Sequence, residues 1–195
     1  MKMRMVAAMF ATIGTLGIGV LAAPRDDAIE HFTAKSALMT SPGRLTLRPV
    51  DIAIRQWSTY DSHLALWDML MEKRPAAFMS LLCTLEPVGT ITAKDARPVA
   101  IRYAWFIEER NGSRRIYLGT DEPVPLAGAF FRRLPEAESL TFIELRIKPN
   151  GVGEGKLSEA TSLTVDESRN VIELRDYDRR PLHLLMVRSD RLFEE

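Results

Sequence analysis

The sequence predicts an α+β domain that is mostly β. The expected architecture is an antiparallel barrel or sandwich of about eight strands, with a short helical pair inserted after the second strand. Three observations predict it. Short runs rich in β-branched and aromatic residues recur between turn signals from residue 31 to residue 188. One internal stretch, residues 58–85, switches to helical spacing. The 195-residue chain is long enough for one real core, and its single cysteine, Cys83, cannot form an internal disulfide.

Residues 1–22 read as a secretory signal peptide. "MKMRM" supplies two positive charges, and residues 6–23 carry none. Val20 and Ala22 satisfy the small-residue rule, so cleavage is expected after Ala22. Residues 23–30 then form a short leader, 31–189 a single β-rich domain, and 190–195 a tail. Cleavage removes Lys2 and Arg4 and leaves no membrane anchor.

"HFTAKSALMT" leads into the turn "SPGR". In "RLTLRPVDIAIRQW", the parity of the apolar residues switches at Pro49. A β-bulge there would put Leu45, Leu47, Val50, Ile52 and Ile54 on one face. Ser58 is the expected N-cap of the first helix, with Asp61 as its capping-box partner. Leu64, Trp67, Leu70 and Met71 are its expected inward face. Pro75 suits the start of a second helix that buries Phe78, Leu81, Leu82 and Leu85. Cys83, in the same apolar pattern, is expected as a buried thiol.

Strands then resume. "GTITAK" is short, and "PVAIRYAWFIEE" is expected to turn Val99, Ile101, Tyr103, Trp105 and Ile107 to one face. "RNGS" is a hairpin turn, after which Ile116 and Leu118 point inward. Residues 122–138 contain three prolines and no period, the mark of a long loop. "LTFIELRIK", the glycine stretch, "SLTV", "VIELRDY" and "LHLLMVR" complete the strands.

The glycine stretch "PNGVGEGKLS" invites a phosphate-loop reading, and its spacing refuses it. Counting back from Gly155-Lys156, the first glycine of such a loop falls on Asn150, and Leu157 stands where a hydroxyl is required. A hairpin fits. Pairing Lys148 with Val152 sets Arg146 against Glu154 and Glu144 against Lys156 on one face. On the other face Ile147 meets Gly153, Leu145 meets Gly155, and Ile143 meets Leu157. Gly153 and Gly155 then leave space beside two large aliphatics, to be filled by packing or by a ligand.

Formal net charge is zero, which argues against a nucleic-acid partner. His31, His63 and His183 lie on different elements without metal-ligand spacing, so neither metal nor cofactor is expected. Asp121 closes a strand ahead of the long loop, where function often concentrates. Phe130, Phe131, Arg132 and Arg133 combine aromatic and guanidinium groups inside that loop, a composition that suits an interface. Trp57 stands at the strand-to-helix corner and could line a pocket mouth.

Four segments, "RQWST", "RIYLGTDEP", "FIELRIKPNGVGEGKLS" and "IELRDY", together resemble a group of exported bacterial proteins of unknown function. The resemblance covers residues 31–188. It implies a signal peptide and one β-rich domain with a helical insert, and it implies no activity or site residue.

These readings favour a non-catalytic envelope module that binds a partner protein or a small apolar ligand. The alternative is a small secreted hydrolase or isomerase using Asp121, Arg102 or Glu144 at the mouth of the β fold. The export reading has a direct check. Mass spectrometry of the protein recovered from its host should find a chain beginning at Ala23, and a full-length chain in the membrane fraction would overturn it.

Overall fold

The computed structural model describes residues 29–41, 44–126, 140–160, 163–166, 171–174 and 182–190. Eleven strands and two helices follow one another in it. They are β1 (Glu30–Ser41), β2 (Arg44–Ile54), α1 (Tyr60–Met71), α2 (Pro75–Thr84), β3 (Gly89–Ala93) and β4 (Val99–Ile101). Then come β5 (Tyr103–Glu108), β6 (Arg114–Thr120), β7 (Leu140–Ile147), β8 (Val152–Ala160), β9 (Leu163–Asp166), β10 (Val171–Leu174) and β11 (Leu182–Ser189).

Nine strands form one antiparallel sheet in the order β4-β3-β2-β1-β11-β8-β7-β6-β5, and β9 and β10 pair separately as a hairpin. The two outermost strands are halves of one run, separated only by Arg102. β4 pairs with β3, β5 pairs with β6, and the Arg102 amide donates to the Gly119 carbonyl at 2.9 Å. This run brings the two sheet edges together and makes a nearly closed barrel of antiparallel strands. Curling the sheet onto itself in this way leaves little free edge.

Alternation along each strand decides what fills the barrel. Phe32, Ile52, Ile91, Ile101, Ile116, Leu118, Ile143, Leu145, Leu157 and Leu184 are fully buried there. Val124 and Leu126, which follow the end of β6, join the same cluster and stop that end. At the opposite end an ion pair lies inside. The Glu30 and Arg114 side chains are 1% and 2% exposed. Arg114 Nη1 donates to Glu30 Oε2 at 2.8 Å, Nη2 bonds the other carboxylate oxygen, and Ser189 Oγ donates to Glu30 Oε1 at 2.7 Å. The guanidinium carbon lies 6.0 Å from the Phe106 ring centre, which adds a cation–π contact.

The glycine hairpin forms in the register derived from the sequence, from Ile143 opposite Leu157 to Ile147 opposite Gly153. Gly151 takes a φ of 75°, and its amide donates to the Lys148 carbonyl at 2.9 Å. Next to it, β11 carries an extra residue at Leu185–Met186 relative to both neighbours, with Met186 at a φ of 54°. This bulge turns both Leu184 and Val187 inward, three positions apart, and leaves Met186 outside.

Several expectations are corrected. Register between β1 and β2 is continuous through Pro49, so no bulge forms there, and Leu45 and Leu47 stay exposed on the outer face. The run from Val99 to Ile107 does not keep one face. Val99, Ile101 and Ala104 are buried in the barrel, whereas Tyr103, Trp105 and Ile107 point outward. The N-cap of α1 is Thr59, whose side chain accepts from the Ser62 amide at 3.2 Å. Ser58 is buried against β5 instead. Its amide donates to the Ala104 carbonyl at 2.9 Å, and its Oγ accepts from the Ala104 amide at 3.0 Å. On α1 the buried residue is Leu66, while Leu64, Trp67 and Met71 are exposed. Leu82 is buried as expected, with Phe78, Leu81 and the C-cap Leu85 packed against the same cluster, but Cys83, about 100° round from Leu82, is exposed.

The buried pair yields a stability prediction. Arg114→Met leaves an uncompensated carboxylate inside the barrel and should cost about 3–5 kcal/mol in urea unfolding. Adding Glu30→Leu should recover most of that loss. A single Arg114→Met variant as stable as the parent would show that the pair is not closed to water.

Candidate functional site

A cleft opens on the outside of the barrel, between the helical pair and the outer faces of β5, β6 and β7. Its volume is about 450 Å³. The strand wall is built from cross-strand rows. Tyr103 pairs with Gly119 and Gly119 with Phe142, while Trp105 pairs with Tyr117. Leu140 and Ile107 extend the wall along the strands, and His63, Leu66, Trp67 and Leu70 from α1 and Phe78 and Leu82 from α2 form the opposite side. Leu66, Leu82 and Leu140 form a buried cluster, and Phe78 and Tyr103 pack against it. Trp67 and Ile107 are about half exposed.

Gly119 gives the cleft its depth. A Cβ there would lie 3.6 Å from Tyr103, 3.8 Å from Leu82 and 3.9 Å from Leu140, all ordinary contact distances. The missing side chain leaves space between rings, where any larger residue would project into the cavity.

His63 is the polar centre of an otherwise apolar lining. Its ring lies 4.2 Å from that of Trp105 with 5° between the planes, and 6.4 Å from Trp67 at 27°. Nδ1 hydrogen-bonds the Tyr103 hydroxyl at 2.8 Å. Burial lowers the imidazole pKa below its usual value of 6.5, because the cleft disfavours the charged form. Burial raises the Tyr103 phenol, with the neighbouring Tyr117 adding to the rise, so Tyr103 stays protonated. Ring and hydroxyl therefore fasten α1 to the sheet through a neutral pair.

The residues singled out from the sequence lie elsewhere. Trp57 packs edge-on against Phe106 at 4.8 Å, beside the barrel core and away from the cleft. Asp121 accepts from Arg102 Nε at 3.0 Å, and Arg102 Nη1 donates to the Leu85 carbonyl at 2.9 Å. Glu144 accepts from Arg146 Nε at 2.9 Å and lies 3.9 Å from Arg115 Nε. Each carboxylate of the catalytic alternative is thus held by an arginine, and none of these groups lines the cleft. The space beside Gly153 and Gly155 is filled. A Cβ at Gly155 would meet Leu145 Cδ2 at 2.6 Å, and one at Gly153 would meet the Arg146 carbonyl at 2.1 Å. Phe130, Phe131, Arg132 and Arg133 lie outside the described residues.

Sequence reasoning missed the cleft because it placed Tyr103, Trp105 and Ile107 inside. The available signal was two large aromatics at alternate positions on one strand of the hairpin, the first of them opposite a glycine on the other strand. Among the described residues no group of three or more His, Cys, Asp or Glu is placed to hold a metal ion, and no helix is long and apolar enough to cross a membrane. Comparisons with family models, curated proteins and solved structures gave no match.

The His63 environment sets a pH dependence. A histidine held neutral by the fold contributes stability that is fully present above about pH 6.5 and is lost as pH falls through its lower folded value. Urea midpoints measured at pH 7.5 and pH 5.0 should therefore fall more for the parent than for His63→Phe, which keeps the stack and does not titrate. Equal losses would remove His63 from the account.

Proposed function

We propose that this protein is a non-catalytic binding module of an exported, periplasmic or secreted protein, and that its cleft takes a small apolar ligand. One observation carries the reading: a cavity of about 450 Å³ whose walls are aromatic and aliphatic side chains, with the hydrogen-bonded His63 and Tyr103 among its few polar groups. Ligand sites in folded proteins have this size and this balance of apolar walls with few polar groups. The barrel interior is already packed with side chains, so the outer wall is where a ligand finds space. The export part rests on the charged and apolar pattern of residues 1–22 and on the sequence resemblance.

Binding to the folded state alone raises stability by RT ln(1 + [L]/Kd), about 2.7 kcal/mol at a hundredfold excess over Kd. Naphthalene and dodecanol are suitable probes, read by tryptophan emission and by thermal unfolding. Both signals should shift with the probes in the parent. Gly119→Leu should abolish the shifts while leaving the protein folded, since its added side chain enters the cleft. Unchanged probe binding in Gly119→Leu would move the site elsewhere.

A further inference from the structure

The outer face of α1 carries a second apolar surface. Tyr60, Leu64, Trp67 and Met71 are spaced four, three and four residues apart, and they are 63%, 37%, 51% and 64% exposed. That spacing is the a/d seam of a helix–helix contact, three turns long. Singly exposed apolar residues need no explanation, whereas a continuous row along one helix marks a contact surface. Asp61 and Asp68 are exposed beside the row, while Glu72, just past the end of α1, is paired with Arg74 at 3.2 Å.

We propose that this face of α1 docks a basic amphipathic helix of another protein. The carboxylates select among occupants. Two copies of α1 pairing antiparallel along the seam would set Asp61 of one against Asp68 of the other, like charge against like. An anionic lipid surface would meet the same repulsion. A helix with leucines on its seam and lysines or arginines beside it buries the row and pairs the acids. The row shares Trp67 with the ligand cleft but faces away from it otherwise, and its argument does not depend on that reading.

The test uses the folded protein and two labelled synthetic helices with the same leucine seam, one flanked by lysine and one by glutamate, followed by fluorescence anisotropy. The lysine helix should bind at least tenfold tighter than the glutamate helix and should weaken with added salt. Leu64→Lys/Met71→Lys should abolish binding, and Asp61→Asn/Asp68→Lys should cut the preference for the lysine helix at least tenfold. Circular dichroism confirms that each variant is folded, and Leu64→Gln/Met71→Gln repeats the test with a milder change. Equal binding of the two helices, or binding that survives both seam variants, overturns the proposal. So does a concentration-dependent dimer in sedimentation that either seam variant dissolves, which would assign the face to a second copy. Capture by neutral vesicles without binding of the lysine helix would assign it to lipid and overturn it equally.

Discussion

The architecture turns on the break in alternation at Arg102. A strand with strict period-two alternation from Val99 to Ile107 would put five large side chains on one face. One residue taken out of the pattern divides the run, so that Val99 and Ile101 fill the barrel while Tyr103, Trp105 and Ile107 build its outer wall. The same residue holds the break in place. Its amide bonds the Gly119 carbonyl, its Nε bonds Asp121, and its Nη1 bonds the carbonyl of Leu85 at the end of α2. The last carbonyls of a helix have no donor within the helix, so this guanidinium also caps α2 where it meets the barrel. Barrel closure, the aromatic wall and the seat of the helical pair share one residue.

Closure leaves the inside complete. Aliphatic side chains fill it, Val124 and Leu126 stop one end, and the Glu30–Arg114 pair occupies the other. A buried ion pair is a poor source of net stability, because desolvation offsets much of its attraction. Its value here is positional, since Glu30 begins β1, Arg114 begins β6 and Ser189 ends β11. Glycines serve the two sides of the wall differently. Gly153 and Gly155 admit Leu145, Ile147 and Leu184 into the packed interior, whereas Gly119 leaves room on the outside.

What could be read in advance follows from how local the cause is. The register of residues 143–157 was legible to the residue, because one turn fixes a hairpin and charge and size alternate along both strands. The helical pair after the second strand was legible from its period and from Pro75. The break at Arg102 was not, because its cause is that one half of the run pairs back to β3 and the other forward to β6, and periodicity does not show where the pairing changes partner. Nor was the orientation of α1. That helix is apolar on two sides, and periodicity cannot choose between them; the His63–Tyr103 bond and the stack on Trp105 do. Pro49 misled for a related reason. It lies in a regular register with Lys35, and the apolar residues before it stay outside.

The two apolar sides of α1 bear on one another through Trp67. Its side chain lines the cleft and also stands in the exposed row, half open to solvent. A ligand that fixes the Trp67 ring from inside would change the surface offered to a docked helix, and a docked helix would change the wall offered to the ligand. If each side binds as proposed, linkage requires that the two events alter each other's affinity by the same factor. The sign depends on whether one ring position serves both. A rigid indole suited to both makes each event favour the other, because the second binder meets a side chain already ordered. His63, four residues earlier on the helix, stacks on Trp105 at 4.2 Å and lies 6.4 Å from the Trp67 ring, so it borders that indole on the side of the sheet.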